Sequence, residues 1–189
     1  YMMPISGSLG IGQPILPMDR CLVGLMCRAS NAMVGATRLD EKNFFPNEAV
    51  SPNFIDAYPE WRMSTAQRAA FRNTRTGAVV GARLAQQFNW KVGDRIPLQG
   101  TIFPQKDGNN TWTFDLVGIY TVTDPKQKAQ ENALFFNWDY FDEARAFGNG
   151  SVGWYVVRVA DPSRADAIAQ AIDAISANSD HETKTQSER

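Results

Sequence analysis

The stretch Thr111–Val122 reads TWTFDLVGIYTV and alternates large apolar residues with mostly polar or smaller ones. Successive side chains of a strand point to opposite faces, so every second residue shares a face. The face with the larger side chains carries Trp112, Phe114, Leu116, Gly118 and Tyr120. The pattern predicts a long strand that packs one face against a core.

A second strand precedes this one. Lys91–Asp94 is typical of a turn, and Arg95–Gln99 alternates again, with a predicted continuation through Thr101–Phe103. Lys106–Asn110 contains Asp-Gly and Asn, which favour the backbone of a hairpin connection. We therefore predict a β-rich lobe over about residues 95–122.

Helices and strands alternate on both sides of this block. Upstream, the predicted elements are a helix from Ser51-Pro52 to Tyr58, a helix from Ser64 or Thr65, a strand Gly77–Val80 and a helix Ala82–Phe88. Downstream, they are a polar loop Lys126–Glu131, a strand Ala133–Phe136, a helix near Tyr140–Phe147, a strand Trp154–Val159 and a helix capped by Asp161-Pro162 with an apolar stripe of Ala165, Ile168, Ile172 and Ile175. This order predicts an α+β fold.

Composition excludes several classes of protein. The 189 residues carry a formal net charge of -1, and their scattered basic residues give no field for nucleic acid. No apolar run reaches the roughly 18 residues that a membrane helix needs. Cys21 and Cys27 lack the second pair of ligands that a zinc site requires. We predict no metal and no cofactor.

Residues for catalysis are scarce. The one histidine, His181, lies in a polar tail, where nothing holds it beside a nucleophile. Asp139, Asp142 and Glu143 form a carboxylate cluster that a hydrolase could use. Acidic residues also favour helix starts, and that structural interpretation is preferred. We predict no catalysis, and we expect amide replacements of the three to leave folding largely intact.

Several segments occur in the order and spacing of a known family. They are GAVVGARLA at 77–85, WKVGDRIPL at 90–98, FDLVGIY at 114–120, NALFF at 132–136 and the strand at 154–159 with its helix. Over about residues 40–187 the chain resembles the MacB-like periplasmic core domains of ABC-transporter permeases with an FtsX-like membrane region. The resemblance implies a helix-bearing porter-like lobe with an inserted β-rich lobe and no active site.

The resemblance also implies a function and partners. Such domains are thought to relay ATP-driven motion of the membrane part to substrate or partner proteins outside. The implied partners are an ABC ATPase subunit, reached through the membrane part, and a second permease subunit or a periplasmic adaptor. The implied location is the inner membrane, with this domain in the periplasm. The transported substrate, the direction of transport and the oligomeric state stay open.

The N-terminal segment 1–37 is set apart from the core domain 38–189. It shows no persistent helical or strand period, and the family's usual strand–helix–strand opening is not evident there. It contains Ser30-Asn31-Ala32, which resembles a scar of tag removal, so a partly non-native origin stays open.

Two interpretations of the aromatic residues remain. A relay needs a partner surface, which we predict in the β lobe and the loop Phe103–Thr111, with Lys106, Asp107, Asn109 and Asn110 as rim groups beside Phe103 and Trp112. Phe103 and Trp112 would be its anchors, or alternatively they are lobe core. The alternative function is a secreted carbohydrate- or peptide-binding module with exposed tryptophans, although core positions are favoured for Trp61, Trp90, Trp112, Trp138 and Trp154.

Overall fold

The structure, a computed structural model, describes residues 2–10, 26–29, 45–100, 102–178 and 182–186. The chain divides into two compact units. The flanking unit comprises Tyr1–Ser30 and Gly150–Arg189, and the inserted unit comprises Asn31–Asn149. The predicted boundary at residue 37, Cys21 and His181 all lie outside the described residues.

Within the described ranges the fold is α+β, as the sequence predicts. The strands are β1 (Met2–Gly10), β2 (Met26–Ala29), β3 (Asn47–Val50), β4 (Trp61–Arg62), β5 (Gly77–Gly81), β6 (Arg95–Gln99), β7 (Thr111–Val122), β8 (Leu134–Asn137), β9 (Ser151–Arg158) and β10 (Lys184–Thr185). The α-helices are α1 (Thr65–Asn73), α2 (Ala82–Phe88), α3 (Trp138–Ala144) and α4 (Ala165–Ser176). Short 3-10 helices cover Phe54–Ala57, Pro125–Asn132 and Pro162–Arg164.

The flanking unit contains strands in the order β10-β1-β9-β2, and each neighbouring pair is antiparallel. Strands β1 and β2 fall in the segment where the sequence pattern indicates no strand. Strand β1 is hydrogen-bonded along both edges, to β9 and to β10. Pairing of this kind outweighs weak local propensity, which explains why the pattern did not reveal the two strands.

The predicted cap and stripe of α4 are both corrected, because Asp161 caps the 3-10 helix Pro162–Arg164 rather than α4, whose own N-cap residue Arg164 makes no side-chain cap bond. Asp161 Oδ1 accepts a hydrogen bond from Ser163 N at 3.0 Å, and α4 follows one short 3-10 turn later. Ile172 is buried, whereas Ile175 is 49% exposed. Ser176 lies about 40° around the helix from Ile172, and Ile175 lies about 60° away on the other side. The buried face therefore runs toward Ser176.

The inserted unit is built on a mixed sheet in the order β3-β8-β5-β7-β4, with β6 also paired to β7. Strands β5 and β7 are parallel, as are β3 and β8, and the other pairs are antiparallel. The alternation of β7 is confirmed, because its even-numbered residues from Trp112 to Val122 are buried. The predicted block 95–122 supplies β6 and β7 to this sheet, and α1, α2 and α3 belong to the same unit.

Local signals fix most element ends. Ser64 Oγ accepts a hydrogen bond from Gln67 N at 3.2 Å at the start of α1. Helix α2 has the predicted bounds and stops at Asn89, whose φ of 56° is left-handed. The helix predicted over residues 51–58 is shorter and is a 3-10 helix. The predicted polar loop is also a 3-10 helix, capped by Asp124 Oδ1, which accepts from Lys126 N at 2.9 Å.

The core of the inserted unit is rich in aromatic side chains. Trp61 stacks between Tyr58 and Tyr120, with both pairs of ring centroids 4.5 Å apart. Trp61 Nε1 donates to Gln130 Oε1 at 2.8 Å, and Tyr120 Oη donates to Gln130 O at 2.6 Å. These contacts hold the 3-10 helix Pro125–Asn132 against the sheet. Their burial contributes strongly to stability, because each ring removes a large apolar area from water.

Candidate partner-contact surface

The loop Ile102–Asn110, hereafter the contact loop, joins β6 to β7. The predicted continuation of β6 through residues 101–103 is wrong for the described Ile102 and Phe103, which lie beyond the end of the strand. At Gly100 a side-chain carbon would come within 2.9 Å of Trp112 Nε1. The chain turns away here and pairs instead with residues 144–146, through a bridge between Gln105 and Arg145.

The polar tip of the contact loop is a closed turn. Asp107 Oδ1 accepts from Asn109 N at 2.9 Å, and Asn109 Oδ1 accepts from Thr111 N at 2.8 Å. Gly108 has a φ of 84°, which favours glycine. The predicted rim residues Lys106, Asp107, Asn109 and Asn110 are all exposed. Two of the four therefore shape the turn as well as facing solvent.

The predicted anchors lie beneath the surface. Phe103 is 7% exposed and Trp112 is fully buried. Trp112 Nε1 donates to Phe103 O at 2.9 Å, and both rings contact Phe141. This corrects the interpretation of the two residues as exposed anchors and agrees with the alternative, that they are core. The buried indole ties the contact loop to the sheet.

Two large apolar residues beside Phe103 are exposed instead. Ile102 precedes Phe103 in the chain, and the Phe147 ring centroid lies 5.1 Å from that of Phe103. Each of the two is 52% exposed. Neither residue was predicted at the surface, because the predicted β6 continued over residue 102 and the predicted helix near Tyr140 reached residue 147. The useful signal for Phe147 was the Gly148-Asn149-Gly150 break directly after it.

The residues after α3 support the contact loop from below. The predicted helix near 140–147 ends at Ala144, and the chain then pairs with the loop. Lys106 N donates to Ala144 O at 2.9 Å, and Ala146 N donates to Pro104 O at 2.9 Å. These bonds satisfy backbone groups of both irregular segments, so the contact loop has a defined conformation.

Arg145 lies in the middle of this support. Its side chain is 1% exposed and forms an ion pair with Asp142. Its Cζ atom lies 5.6 Å from the ring centroid of Phe103 and 5.2 Å from that of Phe141, within cation–π range. Asn149 Nδ2 donates to Arg145 O at 3.3 Å. Sequence patterns gave no indication that this arginine is buried.

The three carboxylates considered for hydrolysis either form ion pairs or lie at the start of a helix. Asp142 pairs with Arg145, and Glu143 pairs with Arg75. Asp139 is exposed at the first turn of α3, where its backbone N donates to Asn137 Oδ1 at 3.0 Å. Among the described residues, no group of three or more His, Cys, Asp and Glu could hold a metal ion.

Hydrogen bonds lower the pKa values of two carboxylates in the inserted unit. Burial opposes the charged form of Glu131, but hydrogen bonds from Lys128 Nζ and Val122 N, both at 2.6 Å, outweigh it and lower the pKa. A hydrogen bond from Thr76 Oγ1 at 2.5 Å lowers the pKa of Asp115. Neither carboxylate is poised for acid–base chemistry near neutral pH.

The tryptophans do not form an exposed stacking surface within the described part of the chain. Trp61 and Trp112 are buried, and Trp90 and Trp138 are half-buried. Trp90 stacks on Phe88 with ring centroids 4.7 Å apart. The core positions favoured by the sequence are confirmed for Trp61 and Trp112, while the side chain of Trp154 lies outside the described part of the structure.

An open groove runs beside α4 in the flanking unit, with a volume of about 400 Å³. Its carboxylates already accept hydrogen bonds: Asp173 Oδ1 from Thr185 Oγ1 at 2.7 Å, and Glu182 Oε1 from Asn178 N at 2.9 Å. Their geometry is explained by the fold alone. Within the described ranges, no helix combines the length and apolar composition needed to cross a bilayer.

Comparisons with known proteins agree with this architecture. A family model described as the MacB-like periplasmic core domain matches residues 28–175. The fold is similar to the periplasmic region of MacB from Actinobacillus actinomycetemcomitans, with a TM-score of 0.59, 10% identity and coverage of 96% of this chain and 87% of that one. It is also similar to the extracellular domain of the ABC-type transporter YknZ from Gram-positive bacteria, with a TM-score of 0.64, 7% identity and coverage of 99% and 100%. None of the curated protein sequences matches the chain.

Proposed function

The chain belongs to the family of MacB-like periplasmic core domains, which form the periplasmic part of ABC-transporter permeases, and we propose that it relays ATP-driven motion of the membrane part to substrate or partner proteins outside. In this proposal the permease lies in the inner membrane and the ATPase subunit acts on it from the cytoplasmic side. A second permease subunit or a periplasmic adaptor would receive the motion.

The observation that carries the proposal is the supported contact loop. A relay transmits force only if its contacts differ between two conformations of the assembly and if the contacting segment does not yield. Ile102 and Phe147 offer exposed apolar area, and the closed turn at Asp107–Asn109 offers polar groups at its edge. The buried Phe103 and Trp112 hold this segment to the sheet. An apolar centre with a polar rim is the usual composition of a protein interface.

We also propose that the domain itself carries out no catalysis. Asp142 and Glu143 are committed to ion pairs, and the shifted carboxylates Glu131 and Asp115 are held in their charged form by hydrogen bonds. Reaction chemistry would then belong to the ATPase partner alone.

The proposal is tested in the intact transporter. We compare the wild type with a double variant, Ile102→Ser with Phe147→Ser, and with a deletion of Lys106–Asn110. Val92→Ser is the matched control, because Val92 is 48% exposed in the same unit but outside the contact loop. The measurements are ATP hydrolysis after reconstitution and rescue of a strain that lacks the gene.

We expect the double variant and the deletion to retain ATP hydrolysis and lose rescue, while the Val92 variant keeps both. Loss of the apolar contacts uncouples the partner without touching the membrane part or the ATPase. If the contact-loop variants rescue as well as the wild type, coupling through this loop is rejected.

A further inference from the structure

We infer that Arg145 is a positioning residue: it fixes the conformation of the contact loop by holding Phe103 against α3. The inference rests on the proposed function for its importance to transport, but its structural content can be tested separately. It assigns a role to a buried charge whose position no sequence pattern predicts.

Burying a guanidinium in a protein core carries a large desolvation penalty. Removing such a charge from water costs several kcal/mol, and well-packed apolar residues of the same size are often equally stable or more stable. Arg145 is nevertheless 1% exposed and pairs with Asp142 from within the unit. The best-attested reason to keep a buried ion pair is that it selects one arrangement among several.

The arrangement that Arg145 selects joins α3, the contact loop and the residues that follow α3. Through Asp142 and the Phe141 ring it contacts α3, and through the Phe103 ring it contacts the contact loop. Its backbone forms a β-bridge with Gln105, and its carbonyl oxygen accepts a hydrogen bond from Asn149 Nδ2. A flat guanidinium can face aromatic rings and bind a carboxylate at the same time, which an aliphatic side chain or an ammonium cannot do equally well.

Loss of the Arg145 side chain should affect the contact loop and not the sheet. Without the cation–π contact, Phe103 keeps only its carbonyl bond to Trp112 and its ring contacts with Phe141 and Phe147. The pairing between residues 104–106 and 144–146 then opens more often, and Ile102 and Phe147 no longer keep a fixed position. The sheet made by β5, β7 and β8 does not depend on Arg145 for its pairing.

The test uses Arg145→Met, which keeps most of the side-chain volume, and Arg145→Lys, which keeps the charge. Hydrogen exchange of the Lys106 and Ala146 amides, which donate to Ala144 O and Pro104 O, reports on the pairing of the loop, and amides of β5 report on the sheet. The indole N–H resonance of Trp112 reports directly on its bond to Phe103 O. Phe54→Leu is the control, because it weakens the core at the ring cluster of Tyr58, Trp61 and Phe135, away from the loop.

In the Met variant we expect exchange of the Lys106 and Ala146 amides to accelerate by about tenfold or more relative to the β5 amides, with a shifted Trp112 indole resonance. The Phe54 variant lowers stability but neither raises that ratio nor shifts the resonance. If the Met variant does not fold, the Lys variant decides by the same two readouts. Unchanged loop exchange and an unchanged indole resonance in the folded variant overturn the inference.

The outcome is separable from that of the proposed function. If the Ile102/Phe147 double variant still rescues transport, the proposed function fails, and the exchange data alone decide the role of Arg145. If that double variant loses transport but the Met variant keeps both loop protection and transport, the proposed function stands and Arg145 is not the positioning residue.

Discussion

Gly81 and Glu131 are in direct backbone contact: a side-chain carbon at Gly81 would lie 2.2 Å from Glu131 O. Gly81 N also donates to Ala133 O at 3.0 Å. The 3-10 helix Pro125–Asn132 therefore crosses the end of β5 at a distance that only glycine permits. This close approach places Glu131 and Gln130 against β7 and Trp61.

The Gly81→Ala variant is expected to lose about 2–3 kcal/mol of unfolding free energy, because the clashing atoms are backbone and cannot rotate away. Urea denaturation measures the loss. The control is Gly118→Ala, where the nearest atom to a new methyl group is the flexible Met63 Sδ, at 2.7 Å. A loss at Gly81 no larger than at Gly118 would contradict the close-contact argument.

The Glu131→Gln variant is expected to lose part of the acid sensitivity of the domain. The folded state lowers the pKa of Glu131 below its ordinary value of 4.5, so this carboxylate stabilises the fold above that pH and ceases to do so as the pH falls through the lowered pKa. At pH 7 the variant loses about 1–3 kcal/mol, since two hydrogen bonds to a charged acceptor are weakened.

The check for Glu131 is the unfolding free energy of wild type and variant measured at pH 7 and again in the acid range below 4.5. The two curves should converge on acidification. Asp166→Asn, on the exposed face of α4, is the control for a general change in charge. Parallel curves for wild type and Glu131→Gln would show that this carboxylate does not contribute the acid sensitivity.

Amide substitutions of the three carboxylates considered for hydrolysis should differ in their effect on stability rather than on activity. Asp142→Asn leaves the buried Arg145 opposite a neutral amide and is expected to cost about 2–3 kcal/mol. Glu143→Gln removes an exposed pair and should cost about 1 kcal/mol or less. The earlier expectation that all three amides leave folding intact is therefore replaced for Asp142. Thermal or urea unfolding of the single variants, with Asp139→Asn as the reference, decides the ranking.

The effect of a substitution in α4 should depend on whether the residue lies on the face that is buried in the structure. Ile172→Ala is expected to cost about 2–4 kcal/mol, because it leaves a cavity at a residue that is 1% exposed. Ile175→Ala, at an exposed position, should cost less than about 1 kcal/mol. Equal losses at the two positions would indicate that the predicted stripe, and not the observed face, packs against the core.

The sequence predicts those parts of the fold that are determined locally. The alternation of Thr111–Val122 and the bounds of α2 follow from side chains that are close in sequence, together with their turns and caps. Strands β1 and β2 were missed because their pairing partner β9 is distant in sequence. A strand with little alternation of its own gives no local signal.

The candidate surface was predicted only in part, for a related reason. Turn chemistry identified the exposed tip from Lys106 to Asn110. Which apolar residues lie beneath it and which lie outside depends on the pairing of the contact loop with residues 144–146. That pairing is a single bridge between irregular segments that are distant in sequence, and Arg145 is one of its two residues. The sequence therefore left open whether Phe103 and Trp112 are anchors of the surface or core of the lobe.

The division of the chain also has a consequence for biosynthesis. Strand β1 leaves the ribosome before the inserted unit, yet its partner β9 begins only at Ser151, after the whole of that unit. Residues 31–149 can therefore fold while the nascent chain is still growing, whereas β1 must wait with open edges until translation has passed Arg158. Long-range pairing of this kind is slow, and an unpaired strand is the part most exposed to aggregation. Strand β1 is thus synthesised well before the strands that protect its edges.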